Sequence, residues 1–500
     1  MANEVTADKV LKVFQDGNLI RIKNVDKRLH DILFTSLSYY RRSLVRGTNG
    51  RHSTIDTQPV SCVCTQELNG VTQAITNAGF LPRLADILGE HGYQLELRKL
   101  RKLYAEDHEP CWENIERFEL RPGQREMLES VATSERGRIW WPTGGGKSFL
   151  VPLICLLFPK MNIVVTTKHM APLLDLHDNL STYLPSVGIY CSQKKKSGRR
   201  VMCYSSGCLQ YADPQNTHMV IADELHELAT DAMFERFAQF RYSKMFGLSA
   251  NVDDRWDGAD FELEGLFGSV IAALTYEDGV SQGSIVPIRV QLRNVFLDDN
   301  PAEGHVDIAQ KRHGIWRNEA RNELIAEDAR AYDDEQQVLI TVSTFDHACH
   351  LKKLLPDFTM VYAPTEDKEI KLDRYVKWGL LSKDEPEMTR HRLDMLKKRF
   401  EDGRLKKVIA TTVWNRGVNF RNLQVLIRAD GVASKIVDTQ IPGRLSRTGT
   451  EGDKEYGILI DYLDQFDERL ARAAKKRVAD YKEKSWEIVM PEKKRIRLAE

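Results

Sequence analysis

The amino-acid sequence predicts an α/β protein in which two consecutive parallel-sheet units follow a small N-terminal α+β module. From Leu120 to about Thr275, short apolar segments alternate with longer helical patterns, which is typical of buried parallel strands and their crossover helices. A second series of the same character begins after Pro287, and two α/β units are the simplest account of both series. The clearest predicted strands are residues 138–141, 163–166, 219–222, 337–341, 408–411 and 425–427.

The N-terminal module has a different pattern, with shorter apolar runs and a turn-rich sequence. Two strands at residues 10–14 and 19–22 are predicted around a Gly-Asn turn, and two helical patterns follow, the clearer at residues 81–89. A third strand at residues 93–97 and a polar linker at 106–116 complete the module. The whole chain is therefore expected to contain an N-terminal module, a first α/β unit, a second α/β unit and a C-terminal helix with a basic tail, at residues 1–112, 113–283, 284–466 and 467–500.

The composition is that of an ordinary soluble protein, with 42% hydrophobic and 29% charged residues among 500. The longest apolar runs, such as residues 149–158, are shorter than the about 20 residues that a membrane span needs, and no secretory signal is visible. The eight cysteines show no Cys-x-x-Cys spacing, which favours reduced thiols inside a cell. We therefore expect a cytoplasmic protein with no membrane partner.

Net charge does not decide whether this chain binds nucleic acid. Lysine plus arginine equals aspartate plus glutamate, at 72 residues each, and binding requires a local basic track rather than a basic total. The run at residues 194–200, Lys-Lys-Lys-Ser-Gly-Arg-Arg, is one candidate. A solvated loop and an arm that grips phosphates are both open for it.

A glycine-rich string at residues 142–148, Pro-Thr-Gly-Gly-Gly-Lys-Ser, lies between a predicted strand and a predicted helix. Successive glycines let backbone N–H groups turn towards phosphate oxygens. Lys147 would add a charge for the β- and γ-phosphates, and the Ser148 hydroxyl would coordinate Mg²⁺. Trp141 stands where the general motif has glycine, and a plain glycine-rich turn is the alternative. The expected nucleotide-binding residues of this string are Thr143, Gly144, Gly145, Gly146, Lys147 and Ser148.

Two carboxylates follow the predicted strand at residues 219–222. They emerge at the carboxyl end of a strand, where an open α/β sheet places its ligands. Asp223 would hold Mg²⁺, and Glu224 would orient and deprotonate an attacking water. An acidic pair by itself is equally typical of a solvated turn. Together with the glycine-rich string it predicts an ATP-hydrolysing site, and His226 is a candidate link from that site to the second unit.

The third string is Gln-Ile-Pro-Gly-Arg-Leu-Ser-Arg at residues 440–447. Arg444 and Arg447 are three residues apart and would share one face of a helix. An arginine brought to a γ-phosphate accelerates hydrolysis by about 10³–10⁵ in related enzymes, whereas a solvent-facing pair is the alternative. With Gln440, these arginines complete the expected catalytic set. Because they lie far downstream of Lys147, the ATP site is expected to be split between the two units.

The three strings together resemble those of superfamily 2 helicases of the DExH type, over roughly residues 118–465. This resemblance implies two RecA-like lobes with ATP and Mg²⁺ between them. It gives Gln124, in Leu-Arg-Pro-Gly-Gln, the role of recognising adenine. It also implies that Thr167, Lys168 and Thr412 contact the nucleic-acid backbone.

Two more segments resemble coupling motifs of that superfamily. Residues 249–251 resemble its Ser-Ala-Thr motif, with Asn251 in place of threonine. Residues 416–419 resemble its fifth motif, from which Arg416 and Asn419 depart. These departures concern the coupling contacts rather than the ATPase.

Within the superfamily, the chain most resembles the bacteriophage UvsW-type DNA helicases, relatives of the XPB and RecG translocases. The segments that carry this likeness are residues 77–81, 91–93, 274–279 and 481–486. It implies a DNA-engaging N-terminal module and the remodelling of forks, junctions and R-loops in replication, recombination or repair, in the host cytoplasm if the protein is phage-encoded. The expected partner is branched or single-stranded DNA, and the expected state is a monomer.

Two other functions remain open at this stage. An RNA helicase would carry the same core strings, and RNA or an RNA–DNA hybrid would then be the partner. A nucleic-acid-binding protein with a vestigial ATPase is the alternative of another class, although the intact Lys147, Asp223 and Glu224 argue against it. The charged segment at residues 365–400 is expected to add helices to the second unit.

Overall fold

The computed structural model describes residues 9–46, 53–250, 257–364, 372–414, 420, 422–433, 442–446 and 454–491. The chain divides into two units, with the principal boundary between Leu274 and Thr275. The first unit contains the N-terminal module and one large sheet, and the second contains another large sheet. Both large sheets are parallel apart from one short edge strand, so the predicted α/β class with two RecA-like lobes is confirmed. The N-terminal module, predicted as α+β, is rich in β-strands and also contains helices.

The N-terminal module is a five-stranded mixed sheet with two helices and a separate two-stranded hairpin. Its elements are β1 Lys9–Asp16, β2 Leu19–Lys23, α1 Lys27–Ser36, β3 Ser38–Arg46, β4 Ser53–Ser61, β5 Val63–Leu68, β6 Val71–Asn77, α2 Leu81–Glu90 and β7 Tyr93–Arg101. The sheet order is β5-β6-β2-β1-β7, and β3 pairs with β4 alone. β1 and β2 are antiparallel around Gly17 and Asn18, which confirms the predicted hairpin. Leu29 and Leu33 of α1 pack with Leu84 of α2 in the core of the module.

The module is fastened to the rest of the first unit by close backbone approach and by ion pairs. Arg83 of α2 donates to both carboxylate oxygens of Glu264 at 2.7 and 2.8 Å. Asp16 accepts from the Arg241 guanidinium at 2.6 Å and from the Tyr242 hydroxyl at 2.9 Å. A side chain on Gly79 would place its Cβ 2.2 Å from the Glu264 carbonyl oxygen. Only glycine therefore allows this contact.

The large sheet of the first unit has eight strands in the order β11-β10-β12-β9-β13-β14-β8-β15, and only β11 is antiparallel to its neighbour. The elements are α3 Glu113–Glu116, α4 Gln124–Thr133, β8 Arg136–Trp140, α5 Lys147–Leu157, β9 Ile163–Thr167, α6 Met170–Tyr183, β10 Val187–Tyr190, β11 Lys195–Lys196, β12 Val201–Ser205, β13 Met219–Asp223, α7 Asp231–Ala238, β14 Lys244–Ser249, α8 Asp260–Phe267 and β15 Val270–Ala273. Val164 and Val165 of β9 enter separate cores, one with α7 and α8 and the other with α5 and α6. Burial on both faces explains the continuous apolar runs.

The second unit contains seven parallel strands in the order β18-β19-β17-β20-β21-β16-β22. Its elements are α9 Tyr276–Ser281, β16 Ile288–Val295, α10 Asp307–Lys311, α11 Glu319–Arg330, β17 Val338–Thr341, α12 Phe345–Leu354, β18 Thr359–Val361, α13 Leu372–Lys377, α14 Arg390–Glu401, β19 Lys407–Ala410, β20 Val425–Arg428, β21 Gly457–Asp464, α15 Glu468–Glu483 and β22 Glu487–Val489. α13 and α14 confirm the helices expected between residues 365 and 400.

The C-terminal helix α15 belongs to the core of the second unit. Arg477 donates to both carboxylate oxygens of Asp461 at 2.8 and 3.0 Å, and both side chains are buried. The Tyr481 hydroxyl also donates to Asp461, and β22 then pairs with β16. The bounds of the four expected regions stay a prediction. Among the helices of the described ranges, none has the length and apolar character that crossing a bilayer requires.

Candidate functional site

The glycine-rich string joins β8 to α5, as predicted from the sequence. Gly144 and Gly146 have φ angles of +94° and +88°, a region that residues with a Cβ rarely adopt. The first N–H groups of α5 have no carbonyl partner inside the helix, and its N-terminal end carries a partial positive charge. Such a helix start after a glycine turn is suited to bind phosphate.

Lys147 lies between the two predicted carboxylates. Its Nζ donates to Glu224 Oε1 and is 3.4 Å from Asp223 Oδ1. Asp223 is the last residue of β13, so the strand end places its carboxylate opposite the start of α5. The structure therefore brings Lys147 of the glycine-rich string together with Asp223 and Glu224 of the acidic string in one cluster.

The charges of this cluster are unbalanced. Burial acts to lower the pKa of Lys147, but the charges of Asp223 and Glu224 outweigh it and raise that pKa. Burial and the Glu224 charge raise the pKa of Asp223, against the effect of Lys147. Two carboxylates and one ammonium leave an excess negative charge, which a divalent cation would neutralise. One oxygen of each carboxylate, Asp223 Oδ1 and Glu224 Oε2, is buried without a hydrogen bond to the described residues.

These buried oxygens fit the ligand preference of Mg²⁺, which takes carboxylates together with substrate phosphates and waters. Asp223 and Ser148 would hold the ion, and it would neutralise charge on the transferred phosphoryl group. No cluster of three or more His, Cys, Asp or Glu side chains placed to hold a metal occurs in the described ranges. A site completed by the nucleotide itself does not require such a cluster.

Glu224 has an unusual backbone that directs the following residues. Its φ and ψ angles are 51° and 50°, the left-handed region that costs a non-glycine residue about 1 kcal/mol or more. The turn carries the chain into Leu225–Leu228, where His226 Nδ1 lies 2.9 Å from the Ser249 hydroxyl. A hydrogen bond therefore joins the acidic string to Ser249, the first residue of the Ser-Ala-Asn segment at residues 249–251. Asn251 itself lies outside the described residues.

Gln124 lies beside the glycine-rich string. Its Oε1 accepts from the Arg121 N–H at 3.0 Å, while its buried Nε2 has no hydrogen bond to the described residues. A Cβ on Gly146 would be 3.1 Å from that Nε2. An unsatisfied buried amide next to the loop is consistent with the predicted recognition of a base, which stays a prediction.

The residues expected to contact nucleic acid in the first unit lie at the carboxyl end of β9. Thr166 and Thr167 are buried, and both hydroxyls lack a hydrogen bond to the described residues. Lys168 follows them and is exposed. Thr166 belongs to the same segment that resembles the backbone-contacting motif, and its role in nucleic-acid contact stays a prediction.

The arginine string of the second unit is only partly described. Arg444 ends a short 3₁₀ helix, Pro442–Arg444, rather than lying on a longer helix as expected. Its guanidinium is buried, donates to the Trp414 carbonyl at 2.7 Å and lies over the Phe420 ring at 4.8 Å. Thr412 is exposed at the start of the 3₁₀ helix Thr412–Trp414. Gln440, Ile441 and Arg447 of the arginine string lie outside the described ranges, as do all of residues 416–419, which include Arg416 and Asn419.

Lys454 is a residue that the sequence did not single out. It is partly buried, and its ammonium donates to the carbonyls of Leu423 and Leu445, next to Arg444. Burial lowers the pKa of Lys454 to about 7. No local pattern in the sequence distinguishes this lysine from the exposed ones, because one of its partners, Leu423, lies 31 residues away in the chain.

Comparison with protein families agrees with this geometry. Residues 117–254 match the family described as "Type III restriction enzyme, res subunit", and residues 321–449 match the "Helicase conserved C-terminal domain". The chain carries the paired domains of a helicase. Helicase families use ATP, typically with Mg²⁺, so the chain is an ATP-binding protein of this kind.

Individual relatives are distant. The DNA 3'-5' translocase XPB2 of Sulfurisphaera tokodaii is 22% identical over 412 residues, which cover 75% of this chain and 91% of that protein. S. cerevisiae Dbp5 bound to RNA and ADP BeF3 matches with a TM-score of 0.50 and 13% identity, over 76% of this chain and 92% of that one. At this identity the structural match bears on the fold alone.

The bacteriophage T4 UvsW structure aligns over 96% of this chain and 98% of that chain, at 15% identity. Its TM-score of 0.41 is too low to carry an argument about fold or role. A UvsW-type role therefore stays a proposal.

Proposed function

We propose that this helicase is an ATP-dependent DNA translocase that unwinds or remodels branched nucleic acid. The observation that carries the ATPase part is the cluster of Lys147, Asp223 and Glu224 beside a helix start that is preceded by two positive-φ glycines. Lys147 would bind the β- and γ-phosphates, and Glu224 would orient the attacking water. Arg444 and Arg447 would supply cations to the phosphoryl group.

DNA is favoured over RNA by the relative named as a DNA translocase, which matches three quarters of this chain. The docked N-terminal module would add a DNA-engaging surface, and its bidentate Arg83–Glu264 pair would hold that surface against the first lobe. A preference for forks, junctions or R-loops, and with it a role in recombination or repair, rests on the resemblance to UvsW-type helicases.

The test is ATP turnover, measured as phosphate release, with single-stranded DNA, linear duplex, forks, four-way junctions, R-loops and RNA compared at equal nucleotide concentration. We expect hydrolysis that requires Mg²⁺ and is stimulated most by branched DNA. Equal stimulation by linear duplex would reduce the proposal to a general translocase. Strongest stimulation by RNA would favour the second candidate function, an RNA helicase. The structure of Dbp5 bound to RNA shows that an RNA-binding protein can have a similar fold. Absence of hydrolysis with every nucleic acid would leave only the binding protein with a vestigial ATPase.

A further inference from the structure

Three tyrosines form a cluster at one end of the large sheet in the first unit. Tyr190 ends β10, and its ring stacks on Tyr204 of β12 with 5.9 Å between centroids and 27° between planes. The Tyr211 ring meets Tyr190 at 5.3 Å and 41°. Lys195 Nζ lies 5.3 Å from the centroid of the Tyr190 ring. This tyrosine–lysine surface, defined by Tyr190, Tyr211 and Lys195, extends outward from the buried Tyr204.

The surface is open to solvent although Tyr204 at its base is buried. Tyr204 is 7% exposed and packs in a core, whereas Tyr211 is 60% exposed. Burial of the Tyr204 ring stabilises the fold, which accounts for an aromatic residue at that position. The exposed Tyr211 ring contributes little to stability, so packing does not account for it. The exposed Tyr211 ring is supported by the partly buried Tyr190 ring, which itself stacks on the buried Tyr204. It therefore offers a free face to a base, as a stacking site requires.

The basic run beside this surface is anchored at both ends. β11 pairs with β10 so that Lys195 is opposite Tyr190, and the Cys191 N–H donates to the Lys194 carbonyl at 2.8 Å. Arg200 turns inward and donates to three carbonyls, those of Cys155, Phe158 and Met161, at 3.0 to 3.2 Å. The run is therefore not simply a solvated loop. Its exposed cations are Lys194, Lys195, Lys196 and Arg199, of which Lys195 and Lys196 form the edge strand β11.

The tyrosine–lysine surface lies at the carboxyl ends of the parallel strands, which is also where the candidate ATP site lies. The parallel strands β10, β12, β9 and β13 lie side by side, and their carboxyl ends are at Tyr190, Ser205, Thr167 and Asp223. Neighbouring strands are about 4.8 Å apart, so three spacings separate Tyr190 from Asp223 by roughly 14 Å. The Ser206 hydroxyl donates to the Lys168 carbonyl at 3.3 Å, which bridges the ends of β12 and β9.

We propose that the tyrosine–lysine surface holds a single-stranded segment of the nucleic-acid substrate. A base would stack on the free face of Tyr211, and phosphates would contact Lys195 and Lys196. This inference rests on the proposed function, since it names the contact that the translocase makes with its strand. Single-stranded nucleic acid is the occupant that combines exposed π-faces with regularly spaced negative charges, which matches an aromatic ring beside a lysine row.

The experiment measures binding of fluorescent oligo(dT) by the full chain, by anisotropy over a range of salt concentrations. Tyr211→Ala is expected to weaken binding about tenfold, while Tyr211→Phe, which keeps the stacking ring, stays within about twofold. Replacing Lys195 and Lys196 together by Gln is expected to make the dependence of the binding constant on salt less steep. The negative slope of log K against log salt should decrease in magnitude by about 1.4. Lys160→Gln is the matched control, because Lys160 is exposed and precedes β9 at the opposite edge of the sheet.

Wild-type ATPase and oligonucleotide binding are measured in parallel to separate two kinds of failure. If wild-type protein neither hydrolyses ATP nor binds any nucleic acid, the proposed function fails. If wild type does both and the Tyr211 and lysine variants match it in affinity and salt slope, only the tyrosine–lysine surface is refuted. Unchanged melting temperatures would show that the variants fold.

Discussion

His226 Nδ1 and the Ser249 hydroxyl are 2.9 Å apart, in a hydrogen bond that joins the acidic string to the end of β14. The same nitrogen is 3.7 Å from Glu224 Oε2, the carboxylate proposed to orient water. A change at Glu224 during hydrolysis would therefore reach Ser249 through one side chain.

We expect His226→Ala to uncouple hydrolysis from nucleic acid. Basal turnover should stay within about threefold of wild type, whereas stimulation by DNA should fall about tenfold. Ser249→Ala removes the same hydrogen bond from the other side. A double-mutant cycle measures the coupling, since residues in contact give non-additive effects. Strictly additive effects of the two substitutions on stimulation would mean that this hydrogen bond does not carry the coupling.

Lys147→Ala should abolish ATP hydrolysis, because the phosphates lose their ammonium partner. The substitution also leaves Asp223 and Glu224 without their cation, which should destabilise the first unit by about 1–3 kcal/mol. Phosphate release and urea unfolding measure the two effects. Lys160→Ala, which removes an exposed lysine, is the control and should change neither. A rate near wild type in Lys147→Ala would refute the nucleotide-site assignment.

Gly79→Ala should detach the N-terminal module, because the added Cβ would lie 2.2 Å from the Glu264 carbonyl oxygen. We expect faster limited proteolysis of the module and a lower melting temperature. Gly89→Ala in α2 is the matched control, since nothing lies within 4 Å of its Cβ position. That substitution should stabilise α2 by about 0.5–1 kcal/mol, because alanine favours a helix more than glycine does. Equal protease resistance in both variants would contradict close docking at Gly79.

His347 should make the second unit less stable in acid. Its ring is fully buried, and Nε2 lies 3.0 Å from Asn322 Oδ1. Burial, followed by the charges of Arg321 and His350, lowers the pKa of His347 well below its usual value. Because the pKa of His347 is lower in the folded chain than in the unfolded chain, the neutral ring contributes its full share to the free energy of unfolding at any pH above the unfolded pKa of about 6.5. It declines as pH falls below that value, because the unfolded chain then binds the proton first.

The expected loss is about 1.4 kcal/mol for each pH unit below 6.5. His347→Gln should therefore show a smaller difference in melting temperature between pH 7.5 and pH 5.5 than wild type. His391→Gln, at an exposed position of α14, is the control and should keep the wild-type difference. A wild-type difference in His347→Gln would show that this histidine does not titrate on unfolding.

Much of the first unit could be predicted from local sequence. The strands near residues 163–166 and 219–222 follow from apolar runs that only a doubly covered sheet can bury. The glycine-rich string and the acidic pair could be placed at strand ends, because a parallel sheet collects its carboxyl ends at one edge. The cluster of Lys147 with Asp223 and Glu224 is the direct result of that geometry.

Other features depend on contacts between residues far apart in the chain. Arg200 belongs to a basic run in the sequence, yet its guanidinium is bonded to carbonyls at residues 155–161. Arg477 reads as one more polar residue of a C-terminal helix, but it is buried against Asp461. Residue type and spacing do not reveal which charged side chain will meet a distant partner.

The sequence by itself determined the α/β class, the order of the strands along the chain and the residue types at the nucleotide site, because these follow from hydrophobic period and backbone freedom. Only the tertiary structure decided the left-handed turn at Glu224, the hydrogen bond between His226 and Ser249 and the contacts of Lys454 with two backbone carbonyls. Each of these depends on neighbours that are distant in the chain, because most buried polar groups are stabilised by a hydrogen-bond partner at about 3 Å that packing must supply.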